Sequence, residues 1–98
     1  MPLPQIAPVG LITTEFVTNA AKHGASAITV SLRPHNASWR LDVTDNGDGL
    51  PEEFDTTKNA GLGMKVIASL IASIKGELTF RNNQNGAGAT FTVIFPSG

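Results

Sequence analysis

Trp39-Arg40-Leu41-Asp42-Val43-Thr44-Asp45-Asn46-Gly47-Asp48-Gly49 is the stretch on which the reading of this chain turns. Trp39, Leu41 and Val43 alternate with Arg40, Asp42 and Thr44, the period-2 pattern of a strand with one buried face. Asp45 falls on the buried parity. A carboxylate aimed at a core must be hydrogen-bonded, or its desolvation is costly. Glycines follow at 47 and 49, where the backbone can take φ > 0 and another group can approach closely. A DG-type turn closed by an Asx bond accounts for the glycines. A bound ligand offering an N–H donor accounts for both the glycines and the inward carboxylate.

On the N-terminal side, Ile28, Val30 and Leu32 alternate with Thr29, Ser31 and Arg33, a half-buried strand. Pro34-His35-Asn36 reads as the turn of a hairpin. Before it, Pro8 suits the first turn of a helix. Val9, Ile12, Phe16 and Ala20 continue as its apolar stripe, with Gly24 as C-cap. On the C-terminal side, the spacing predicts a loop from Asp45 to about Gly61, with a short helical turn from Pro51. A helix follows from Leu62 to Lys75 with Val66, Ile67, Leu70, Ile71 and Ile74 inside, ended by Gly76. Leu78 and Phe80 mark a third strand, Asn82–Gly88 a turn, and Phe91, Val93 and Phe95 a fourth strand stopped by Pro96. Two helices alternating with two hairpins imply an α+β fold, a two-layer sandwich with helices on one face of a sheet.

Composition narrows the function. The 98 residues suit one domain, 1–98, and 41% hydrophobic with 15% charged residues excludes a disordered chain. Seven Lys and Arg against eight Asp and Glu leave a net charge of −1. No bulk field draws in nucleic acid or anionic lipid, so any polyanion must be held by local geometry. Cysteine is absent, which removes disulfides, thiolate metal sites and a Cys nucleophile. The N-terminus has no positive n-region, and no apolar run reaches the roughly 18 residues that span a bilayer. The expectation is a cytoplasmic, monomeric domain without nucleic-acid or membrane contact. A patterned helix begins with almost no preamble, which predicts an N-terminally truncated piece of a longer protein.

On a helical wheel, Glu15, Asn19 and Lys22 share one narrow sector beside the apolar stripe, while Thr14, Thr18 and Ala21 occupy the back. A carboxylate, an amide and an ammonium on successive turns can hold a divalent ion and a phosphate. They can equally form a surface network that supports the helix. Gly61-Leu62-Gly63 opens the second helix, where backbone amides can cradle phosphate oxygens. A plain helix start explains the same residues, and neither a P-loop nor a GxGxxG pattern is present.

Taken together, these elements resemble the ATP-binding catalytic domain of sensor histidine kinases, within the wider gyrase, heat-shock chaperone and mismatch-repair ATPase family. Leu11 to His23, with Glu15, Asn19 and Lys22, resembles the N box. Asp45-Asn46-Gly47-Asp48-Gly49 resembles the G1 box and Gly61-Leu62-Gly63-Met64 the G2 box. Gly88 to Pro96 is similar to the last strand. The resemblance covers about residues 3 to 96. G1 and G2 lie only eleven residues apart. That spacing, Glu15 and the run Leu50-Pro51-Glu52-Glu53-Phe54-Asp55 are similar to the HWE-related kinases. The alternative is an anti-sigma-factor-type serine protein kinase switch.

The resemblance implies a Bergerat-type fold, with helices on one face of a mixed sheet. It implies a domain that binds ATP with Mg²⁺ and donates the γ-phosphoryl group to a histidine on a separate helical-hairpin domain, with a response regulator downstream. By the same resemblance, Asn19 ligands Mg²⁺, Lys22 contacts phosphate, and Asp45 accepts the adenine amino proton. Gly47 and Gly49 let the base pack close, Gly61, Leu62 and Gly63 shape the lid, and Glu15 is the catalytic base. The family often places Thr or Ser near the adenine where this chain has Ala89. Thr90 lies next door on the opposite face, so a water held by Asp45 would stand in. His23 and His35 are read as local structure, not as phosphorylation sites.

Overall fold

A computed structural model describes residues 3–22, 24–48, 62–84 and 87–97. The elements run α1 (Leu3–Lys22), β1 (Ile28–His35), β2 (Ser38–Asp45), α2 (Leu62–Ser73), β3 (Glu77–Asn82) and β4 (Ala89–Pro96). The strands form one sheet in the order β1-β2-β4-β3. All three pairings are antiparallel among the described residues, where a mixed sheet is expected. The reason is connectivity. Two hairpins supply the four strands, and they join through β2 and β4 with Val43 opposite Phe91 and Leu41 opposite Val93.

Both helices cover the face that carries Leu41, Val43, Val93 and Phe95. Val9, Ile12 and Phe16 from α1 and Ile67, Ile71 and Ile74 from α2 complete the core. The edge strand behaves differently. Val30 and Leu32 have the inward parity but stay 45% and 42% exposed, since the helices reach only the Ile28 end of β1. Val66, expected inside, is also exposed, on the flank of α2 beyond the Ile67–Ile71–Ile74 stripe.

The helix ends show how local chemistry sets the boundaries. α1 begins at Leu3, earlier than expected, and Pro8 sits inside it. Pro4 takes the first-turn position that suits proline, and Pro8 forfeits one bond only, to the carbonyl of Pro4. At the other end Gly24 has φ +84°, with Gly24 N–H to Ala21 O at 3.3 Å and Ala25 N–H to Ala20 O at 3.0 Å. This pair of bonds is a Schellman cap. α2 ends in the same motif, but its left-handed residue is Lys75, with φ +57°. Gly76 follows because space is short: a Cβ there would lie 3.1 Å from Ile71 Cγ2 and 3.3 Å from Val93 Cγ1. The β1–β2 connection is two residues, Asn36-Ala37, with Asn36 at φ +56°. Pro34 and His35 therefore belong to the strand. Proline is tolerated there because β1 is an edge.

The opposite face of the sheet is polar. Asp42 accepts from Thr92 Oγ1 at 2.6 Å and from Arg40 Nε at 2.9 Å, with Arg33 at 3.7 Å. Burial pushes the Asp42 carboxyl up, but the hydrogen bonds from Arg40 and Thr92 and the charges of Arg40 and Arg33 outweigh it and hold the carboxyl below its usual value. A depressed folded-state pKa stabilises the fold fully above the unfolded value of about 3.9, and that contribution is lost as the pH falls through the lower folded value. Asp42→Asn is expected to cost about 1–2 kcal/mol at pH 7. In thermal melts, the gap from wild type should narrow below about pH 4. A gap that stays constant into strong acid would refute this role of Asp42.

Candidate nucleotide-binding site

α1 crosses the sheet from end to end. Near its start, Gln5 Nε2 donates to Pro96 O at 2.6 Å, and just past its end Gly24 packs against the Asp48 carboxylate. The helix therefore brings its second half to the end of the sheet where β2 stops at Asp45. Phe16 stacks on Phe91 with ring centroids 4.7 Å apart, and Phe91 pairs with Val43, two residues before Asp45. Asn19 is five residues before Gly24, roughly 7 Å along the helix axis.

On α1, Glu15 and Asn19 are half-buried, Lys22 is exposed, and Thr14, Thr18 and Ala21 face outward. The polar sector thus borders the core, as the wheel requires. Asp45 is 9% exposed and its Oδ1 accepts the Gly47 N–H at 2.8 Å. The Asx turn and the inward carboxylate coexist. Leu62 and Gly63 are the first residues of α2. Gly49, Gly61, His23 and the expected helical turn from Pro51 lie outside the described residues. His35 ends β1 and pairs with Ser38, so it belongs to the far end of the sheet.

Three further residues build the site, and none is singled out by its sequence pattern. Asn46 Oδ1 accepts the Ser26 and Ala27 N–H groups, both at 2.9 Å, and Asn46 N–H donates to Ala27 O at 3.3 Å. From the other hairpin, Asn83 Nδ2 donates to Asp45 O at 2.9 Å. Gly88 has φ +82°, and a Cβ on it would fall on the Asp45 carbonyl oxygen and lie 2.8 Å from Asn46 Cα. For Asn83 and Gly88 the sequence signal is the density of Asn and Gly between 82 and 88, while Asn46 lies within the G1-like run without a role of its own. As expected, Ala89 points inward and Thr90 outward, where Thr90 bonds Asn83 and Thr44.

The arrangement is a buried carboxylate at a strand end, on a turn stapled from both sides, beside a helix with a half-buried acid and amide. Residues 5–98 match the family described as "Histidine kinase-, DNA gyrase B-, and HSP90-like ATPase". The chain belongs to this family. A blue-light-activated histidine kinase of Erythrobacter litoralis is 28% identical over 102 residues, spanning 98% of this chain and 29% of that kinase. The solved blue-light activated histidine kinase of that organism superposes with a TM-score of 0.85 at 25% identity, covering 98% of this chain and 31% of that one. The ATP binding domain of PrrB from Mycobacterium tuberculosis gives a TM-score of 0.81 at 26% identity, covering 94% and 68%. The chain thus spans about a third or less of the full kinases. Among the described residues, no helix is long and apolar enough to cross a membrane.

Proposed function

We propose that this domain binds Mg²⁺-ATP and serves as the catalytic half of a sensor histidine kinase, donating the γ-phosphoryl group to a histidine on a separate phosphoacceptor domain of the same kinase. The observation that carries the reading is Asp45. It is a buried carboxylate at a strand end that, among the described residues, accepts the turn bond from Gly47 N–H, in a family of ATPases. Such an acceptor suits the exocyclic amino group of adenine. Gly47 and Gly49 give the base room.

Asn19 and Glu15 supply oxygen donors at the core edge, and Lys22 supplies a mobile positive charge for phosphate. Mg²⁺ takes one or two protein oxygens and fills its shell with phosphates and water, so one side-chain amide suffices from the protein. Asn19 would hold it through its amide oxygen, and Mg²⁺ there would neutralise phosphate charge. Leu62 and Gly63, which open α2, border the phosphates together with Gly61, which lies outside the described residues. Phosphoryl transfer is mainly positioning plus charge stabilisation, so an acceptor must lie in line with the γ-phosphate. The downstream partner is a response regulator. The short G1–G2 spacing supports the HWE-related group, and likeness to the Erythrobacter kinase is in keeping with it.

Calorimetric titration with ATP and GTP tests the reading. GTP presents an oxygen where ATP presents an amino group. Asp45→Ala should lower ATP affinity by about 1–3 kcal/mol, roughly 5- to 150-fold, and erase the preference over GTP. Unchanged ATP affinity with an unchanged ATP/GTP ratio would reduce Asp45 to a turn residue.

A further inference from the structure

We infer that Asn83 is a positioning residue for Asp45, fixing the base-reading carboxylate from the far face of the sheet without touching nucleotide. The inference rests on the reading of Asp45 given above. The β2–β4 ladder ends at Thr44 opposite Thr90, so the Asp45 carbonyl, one residue further, has passed beyond its last strand pair with β4. Asn83 takes over at that point. Its Nδ2 donates to Asp45 O and to Ala87 O, both at 2.9 Å, and its backbone N–H donates to Gly88 O at 3.0 Å. Its Oδ1 accepts from Thr90 Oγ1 at 2.7 Å. Thr90 is only 4% exposed, and its hydroxyl also meets Thr44 Oγ1 at 3.1 Å.

The two carbonyls determine which way the amide points. They accept only from donors, so Nδ2 faces them and Oδ1 faces Thr90, whose hydroxyl donates to it. Gly88 lets the β3–β4 turn approach closely enough for the bond to form. Asn83 cannot be a ligand contact of the kind proposed for Asp45. It lines an outward-facing cleft with Thr44, Arg81, Gln84 and Thr90, whereas the Asp45 side chain shares the parity of Leu41 and Val43 on the helix side. What Asn83 controls is the placement of the Asp45 backbone. Hydrogen bonds weaken steeply with distance and angle, so a small displacement of that backbone penalises the base contact specifically.

Asn83→Asp separates this role from mere folding. It keeps an acceptor for Thr90 but sets an acceptor against two carbonyls. Thr90→Val keeps volume while removing the hydroxyl that holds the amide oxygen in place. For the 98-residue chain, ATP and GTP dissociation constants would be measured by calorimetry well below each variant's melting temperature, with Asp45→Ala in parallel. Asn83→Asp should reduce the ATP/GTP preference about 5- to 20-fold through weaker ATP binding, and Thr90→Val about 2- to 5-fold. The Gly47 amide resonance, which reports on Asp45 Oδ1, should shift in Asn83→Asp. A wild-type ATP/GTP ratio and an unmoved Gly47 resonance, with the preference lost only in Asp45→Ala, would overturn the role of Asn83 and leave Asp45 standing. A wild-type ratio in Asp45→Ala would overturn the base reading and this inference with it. Should Asn83→Asp not fold, a wild-type ratio in Thr90→Val would overturn the inference.

Discussion

Gly88→Ala is expected to lower the melting temperature by about 8 °C or more and to abolish ATP binding at temperatures where wild type binds. Two costs combine. At φ +82° an L-residue costs about 1–2 kcal/mol. The added methyl would also occupy the place of the Asp45 carbonyl oxygen, backbone on both sides, so no rotamer relieves it. Forced displacement of packed backbone costs about another 1–3 kcal/mol or more. A domain of this size holds roughly 5–15 kcal/mol in total, and each kcal/mol shifts its melting temperature by about 4–8 °C. Circular-dichroism melts decide the matter. A midpoint within about 3 °C of wild type would show that the β3–β4 turn can withdraw without consequence.

Glu15→Gln should slow phosphoryl transfer by about 10²–10⁴ while changing ATP affinity only a few-fold. Glu15 is half-buried one turn before Asn19 on the same sector of α1. A carboxylate there, beside the proposed phosphate position, can take the proton from an attacking imidazole or water; an amide of the same shape cannot. The assay supplies the purified phosphoacceptor hairpin domain and follows single-turnover labelling from radiolabelled ATP. If Glu15→Gln transfers phosphate at the wild-type rate, Glu15 is a positioning residue for Asn19. If transfer and affinity fall together, its loss acts through binding.

What the sequence makes legible here is parity and punctuation. Asp45 reads as inward because Leu41 and Val43 do, Thr90 reads as outward because Ala89 and Phe91 are inward, and both placements hold. The Glu15–Asn19 sector follows from helical angle alone. The rest depends on partners remote in the chain. Nothing local distinguishes Gly88 from other turn glycines; its requirement comes from the carbonyl of Asp45. Asn83 is one polar residue in a polar turn until Thr90 and Asp45 close around it. Gly76 reads from sequence as the end of α2, but Lys75 takes the left-handed conformation and Gly76 answers to crowding by Ile71 and Val93. Val30 and Leu32 follow the strand pattern faithfully, and their exposure reflects how far the helices reach, which periodicity does not encode.

The turn at Asp45–Asp48 is tied to residues 20 positions earlier through Asn46 and 38 positions later through Asn83. The first tie closes at the open end of the β1–β2 hairpin as that hairpin zips up. The second must wait for loop closure between hairpins, whose entropic cost is met only when both have docked. The Asp45 carboxylate proposed to bind the base therefore comes into register among the last events of folding, and no partly folded chain should retain it. Nucleotide then engages the native state alone, and its concentration becomes a lever on the folding equilibrium of the entire domain, adding about 2.7 kcal/mol at a hundredfold excess over its dissociation constant. In a cell whose ATP level falls, such a domain loses its substrate and part of its protection from unfolding at the same moment.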